Sequence, residues 1–178
     1  MVAQVTVLGG ATSMSSSYII RSATSADEPF LWRMLYQSLY VESGYAPLPR
    51  EIVATPQIAQ YVTEWGRKGD LGFIAIDITT NQPIGAVWSR LPDKEFRGFG
   101  FVDIETPELA MAALPEHRGR GIGSALLERY LQEAKGKYRN VSLSVSPQNP
   151  AKRLYERHGF KTVEIRDGHP VMAKEFAR

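Results

Sequence analysis

Apolar and polar positions fall into short runs of alternating period along this chain. Residues 18–22 alternate as a strand does, and 27–40 carry Phe30, Leu31, Met34, Leu35 and Leu39 at helical spacing. The stretch 49–65 predicts a second helix, broken or started at Pro56. Residues 72–77 and 84–88 read as strands joined by a turn at 79–83, where Asn81 and Pro83 suit a reversal. A Gly/Phe loop at 97–101 precedes a strand at 109–114, an amphipathic helix at 124–134 and a strand at 141–145. A short helix at 150–158 and strands at 161–165 and 171–174 complete the order β-α-α-β-β-β-α-β-α-β-β. Alternation of this kind implies an α/β or α+β domain and nothing finer.

Composition narrows the chemistry by exclusion. The 178 residues suffice for one domain with a real core, and no repeat or linker divides them. Net charge is +2 without a Lys/Arg block, so no nucleic-acid partner is expected. Cysteine is absent, which excludes disulfides, thiolate catalysis, Cys-ligated zinc and an acyl-cysteine relay. His117, His158 and His169 have no metal-ligand spacing, so no metal is expected. Residues 1–17 are rich in Ser and Gly, with neither a basic start nor an apolar span. They read as a disordered leader or a misassigned start ahead of Met14, with 18–178 as the single domain. No membrane partner follows, and a cytoplasmic location is the expectation.

The chemistry concentrates at residues 118–123, Arg-Gly-Arg-Gly-Ile-Gly, between the 109–114 strand and the 124–134 helix. The first turn of a helix leaves N–H groups unpaired and carries partial positive charge. Glycines there allow a sharp bend and a close anion, and Arg118 and Arg120 add full charge, so a phosphate or pyrophosphate is the natural guest. A P-loop would need a Lys after the glycines, and none follows. The dinucleotide fingerprint would place its third glycine at Ser124 and an acid on the next strand, and both are missing.

What remains is Arg-x-x-Gly-x-Gly (Arg118, Gly121, Gly123), which resembles the pyrophosphate-binding signature of the GNAT superfamily, the acyl-CoA-dependent N-acetyltransferases. A second segment agrees. Asn149-Pro150-Ala151-Lys152-Arg153-Leu154-Tyr155-Glu156-Arg157-His158-Gly159-Phe160 is similar to the superfamily's Asn…Ala-x-x-Leu-Tyr-x-x-x-Gly-Phe run. Read singly, these residues are also a good short helix: Asn149 a cap, Pro150 its first residue, Gly159 its end and Tyr155 a buried aromatic.

The resemblance implies a mixed, twisted central sheet of about seven strands with helices on both faces, an α/β (α+β by some schemes) fold. It implies acetyl-CoA as cosubstrate, its pantetheine arm beside Met111, Ala112 and Ala113. The pyrophosphate would lie on the amides of Gly119, Arg120, Gly121, Ile122, Gly123 and Ser124, with Arg118 and Asn149 as further contacts. Tyr155 matches the general acid and Glu108 a position where several members carry a base. Asp103 and Glu105 compete for that role, and a strand-end acid such as Glu108 is ordinarily solvated. Two departures stand out. Asn149 lies one residue closer to Tyr155 than in many members. Ser144 stands where members that acetylate ribosomal-protein N-termini have Glu. The acceptor implied is the primary amine of a small molecule, walled by Trp32, Tyr36, Tyr40, Tyr45, Trp65, Glu42 and His169, and a homodimer is left open. Two other readings remain, a non-catalytic acyl-CoA sensor and a nucleotide-binding protein using the same turn.

Overall fold

The computed structural model describes residues 17–93 and 97–177, so the proposed leader, apart from Ser17, lies outside the described residues. One seven-stranded sheet runs in the order β1-β2-β3-β4-β5-β7-β6. Its strands are β1 (Tyr18–Ser22), β2 (Leu71–Asp77), β3 (Pro83–Arg90), β4 (Glu108–Ala113), β5 (Asn140–Ser144), β6 (Lys161–Arg166) and β7 (His169–Glu175). All neighbours are antiparallel except β4 and β5. The helices are α1 (Glu28–Ser38), α2 (Pro56–Ala59), α3 (Ile122–Ala134) and α4 (Ala151–Arg157).

The central strands β2 and β3 read as nearly continuous apolar runs because both their faces are covered. On one face, Phe73, Ala75, Val87, Leu109, Leu143 and Met172 meet Ile122, Leu126, Leu127 and Tyr130 of α3 and Tyr155 of α4. On the other, Ile74, Ile76, Ala86, Trp88 and Ala112 meet Leu31, Met34 and Leu35 of α1 and Ile58, Val62 and Trp65. Two cores on one sheet account for the alternation in the sequence.

Boundaries differ from the sequence pattern in two informative places. The long helix begins at Ile122, two residues earlier than apolar periodicity suggests, because Gly121 in a left-handed conformation (φ 78°) is its cap. The end of the glycine motif is therefore the helix's own first turn. The predicted second helix is only a 3-10 segment, Arg50–Ala54, followed by the four-residue α2. Thr55, held extended ahead of Pro56, separates them. The chain past α2 is held by Arg90, whose guanidinium donates to Gln60 O (2.8 Å) and Thr63 O (2.7 Å).

Candidate active site

The opening in the sheet lies between β4 and β5. They share one register pair, Glu108 with Ser142, next to a bond from Ser142 N–H to Pro107 O (3.0 Å). Leu114 N–H donates to Ile84 O (2.9 Å), so by strand alternation the even-numbered residues of β4 turn their backbone groups to β3. Those of Met111 and Ala113 turn to the β5 side. Ala113 O there accepts from Arg118 Nε (3.1 Å), which leaves the Met111 N–H and C=O and the Ala113 N–H facing the gap. Of the three residues expected beside a pantetheine arm, Met111 is thus the one with both backbone groups to offer, while Ala112 pairs with Ala86.

The glycine turn opens at the end of this gap. Gly119 (φ 72°) and Gly121 (φ 78°) are left-handed, with nothing within 4 Å of where a Cβ would stand. The first helical bond runs from Ala125 N–H to Gly121 O (3.1 Å). Among the described residues, the N–H groups of Gly119, Arg120, Gly121, Ile122, Gly123 and Ser124 have no acceptor in the protein. Six consecutive free donors at a helix start form an anion cradle. Arg120 is exposed and without a polar partner among the described residues, whereas Arg118 turns back toward α1, with Nη2 on Gln37 Oε1 (3.1 Å). Arg118 braces the end of β4 rather than standing free beside the turn.

Gly123 marks where the motifs converge. A Cβ there would meet Leu154 Cδ2 at 3.6 Å and Met111 Cε at 3.7 Å, bringing β4, the turn and α4 together. Tyr155 is buried, edge-on to Phe160 with ring centroids 5.7 Å apart. Its hydroxyl has no hydrogen-bond partner among the described residues. Burial pushes this phenol well above its ordinary pKa, so it rests in the neutral form with a proton to give. Asn149 Oδ1 accepts from Ala151 N–H (2.9 Å) and so caps α4.

Glu108 is not the solvated strand-end acid its position suggests. It is 4% exposed, beneath the loop 97–101. Its Oε2 accepts from Tyr61 Oη (2.7 Å) and Gly100 N–H (2.9 Å), and its Oε1 from Gly98 N–H (2.9 Å). Burial raises its pKa, and the Tyr61, Gly100 and Gly98 bonds act against that rise. Glu108, Tyr61 and Gly98 line a pocket together with Gln60, Arg67 and Arg90. Asp103 and Glu105 are exposed, with Asp103 Oδ1 spent on Glu105 N–H (2.9 Å), and neither lines that pocket.

None of the aromatics expected to wall an acceptor lines this pocket. Trp65 is core, Tyr36 Oη donates to Leu48 O (2.7 Å), Tyr40 Oη to Gln148 O (3.2 Å), and Tyr45, Glu42 and His169 are exposed. Tyr61, Gly98 and Gly100 were not anticipated. The available signal was Gly98-Phe99-Gly100, two glycines spaced for close backbone approach: a Cβ at Gly98 would lie 2.2 Å from Tyr61 Oη.

The model of the acetyltransferase (GNAT) domain family matches residues 61–162, more than half of the chain. The chain belongs to the GNAT acetyltransferase family. The match takes in β4, the amide cradle and α4. Over 71 residues the chain is 39% identical to the cysteine-rich protein 2-binding proteins of Mus musculus and Homo sapiens. That match covers 37% of this chain, which spans only 9% of those relatives' length. The fold is shared with yncA from Salmonella typhimurium, solved with its cofactor acetyl-CoA: TM-score 0.63, 18% identity, 92% of this chain and 96% of that one. It is shared too with the spermidine/spermine N-acetyltransferase SpeG from Vibrio cholerae, with TM-score 0.59, 18% identity and coverage of 90% and 95%. Among the described residues no helix is long and apolar enough to cross a membrane.

Proposed function

We propose that this GNAT chain transfers the acetyl group of acetyl-CoA directly to the primary amine of a small-molecule acceptor. The observation that supports it most is the row of six free amides, Gly119 to Ser124, opening beside a β4–β5 gap that presents the Met111 backbone. The residues fit acetyl-CoA by chemistry. The amide row suits a pyrophosphate, and Arg120 adds charge where phosphates would lie. The family relationship and the likeness in fold to SpeG, a spermidine/spermine N-acetyltransferase, favour a small amine.

In this reading acetyl-CoA supplies an activated acetyl thioester, and the chain binds, orients and moves protons. An acceptor ammonium would give one proton to Glu108, directly or through a water, and its nitrogen would bond to the thioester carbon. Charge developing on the carbonyl oxygen would meet the Met111 N–H. As the C–S bond breaks, Tyr155 would protonate the sulfur, and the second amine proton would return the phenol to its neutral form. Isothermal calorimetry tests the first step. Acetyl-CoA is expected to bind in the low-micromolar range, and a folded sample without binding heat at millimolar ligand would refute the proposal.

A further inference from the structure

We propose that Tyr61 is the positioning residue of the acceptor-side base: it fixes Oε2 of Glu108 and leaves Oε1 as the atom that takes the proton. This rests on the reading of Glu108 as that base. An ionised carboxylate offers about four acceptor sites, two on each oxygen. Three are filled here. Oε2 has both of its own occupied, by Tyr61 Oη at 2.7 Å and Gly100 N–H at 2.9 Å. Among the described residues Oε1 receives only Gly98 N–H at 2.9 Å, so the vacant site is on Oε1.

The phenol works in two directions. While donating to Oε2 it accepts from Phe99 N–H (2.9 Å), so one hydroxyl orients the carboxylate and the loop bearing both glycine donors. Space around them is closed, since a Cβ at Gly98 would stand 2.3 Å from Glu108 Oε2 and one at Gly100 2.6 Å from Leu143 C. Tyr61 is itself held from behind, its carbonyl accepting from Trp88 Nε1 (3.1 Å) in the core. Opposite it, Arg166 donates to Phe99 O (3.2 Å) and Phe101 O (3.1 Å), pinning the loop's far side. The groups bonded to or facing the carboxylate are Tyr61, the two glycine amides and, beyond the loop, Arg166, and the pocket that Glu108 lines also carries Arg67, Arg90 and Asp93. Arg90 is paired with Asp70 (2.7 Å) and Arg67 with Glu64 (2.6 Å).

The test has two arms. In the first, the Gly98 and Gly100 amide shifts in nitrogen–proton NMR report the titration of Glu108 without any acceptor, and Glu108→Gln identifies it by abolishing it. Tyr61→Phe removes one donor to the charged form, so the midpoint should move up by about one pH unit. Should Tyr61→Phe fold poorly, difluorotyrosine at position 61, a stronger donor, should move it down instead. A midpoint that moves in neither variant overturns the proposal. In the second arm, an amine found to support turnover is used to measure kcat/KM against pH. The acid limb should vanish in Glu108→Gln and shift upward in Tyr61→Phe, with KM for acetyl-CoA changed less than about twofold. A limb indifferent to Glu108→Gln sinks the base reading and the proposal with it. A limb lost in Glu108→Gln but unmoved in Tyr61→Phe sinks the proposal alone.

Discussion

Replacing Arg90 with Met should be among the most damaging single changes outside the two cores, by an amount the geometry allows to be worked out. Arg90 and Asp70 form a two-bond ion pair, Nε to Oδ1 at 2.8 Å and Nη2 to Oδ2 at 2.7 Å, with side chains only 10% and 4% exposed. Arg90 also satisfies the carbonyls of Gln60 and Thr63, and more weakly Glu64 (3.3 Å). Methionine keeps most of the stem and removes every donor. Among the described residues Asp70 would keep only the Gly66 and Arg67 amides (2.9 Å each), a buried carboxylate without its counter-charge. Removing one partner of a buried pair costs about 3–5 kcal/mol, a large share of a typical 5–15 kcal/mol of total stability. Adding Asp70→Asn removes the stranded charge and should recover about 1–3 kcal/mol, although each change alone destabilises. Urea unfolding followed by tryptophan fluorescence reads this out, since Trp65 and Trp88 both contact the segment. With a slope of about 2 kcal/mol/M, the midpoint should fall by roughly 2 M in Arg90→Met. A loss below about 1 kcal/mol, or a double variant no better than Arg90→Met, would refute the reasoning.

Other consequences can be checked separately. Gly123→Ala makes only ordinary contacts at 3.6–3.7 Å and should leave stability nearly unchanged, whereas Gly123→Val crowds the cradle and should weaken acetyl-CoA binding at least tenfold by calorimetry. Gly121→Val is a poorer probe, because its left-handed backbone adds about 1–2 kcal/mol of strain to any binding effect. Tyr155→Phe should lower turnover by roughly 10²–10⁴-fold with little change in acetyl-CoA affinity, and equal losses in stability and rate would assign Tyr155 to packing. Burial raises the folded-state pKa of Glu108, so its contribution to stability is fully present below the unfolded value of about 4.3 and declines as pH rises through the folded value. The stability of wild type relative to Glu108→Gln, from urea unfolding at several pH values, should therefore decline over that window, and a constant difference would contradict it.

Most elements were legible because each follows a simple burial pattern, but the stretch 49–65, where Pro56 interrupts the predicted helix, was not. The apolar stripe Leu31, Met34, Leu35 became the buried face of α1, and the run of β2 was continuous because both its faces are covered. The glycine turn could be read from its spacing and its place between a strand and a helix, because the left-handed cap at Gly121 favours that residue. Glu108 was legible by position but not by environment. Its burial depends on Tyr61, 47 positions away in sequence, and on a loop whose glycines look like a plain connector. Arg118 was legible as a cation at the turn but not in its contacts. A cation beside a phosphate cradle and one bracing the carbonyl of Ala113 have the same sequence, and only the position of Gln37 on α1 separates them.

The central claim is acyl transfer, and the most direct measurement is CoA release from acetyl-CoA across a panel of primary amines, with product mass recorded for each. At least one small amine is expected to give one acetylated product per CoA released, at a rate that collapses in Tyr155→Phe. Acetyl-CoA binding with no amine-dependent thiol release across polyamines, amino acids and aromatic amines would contradict it, leaving a protein that binds acyl-CoA without turning it over.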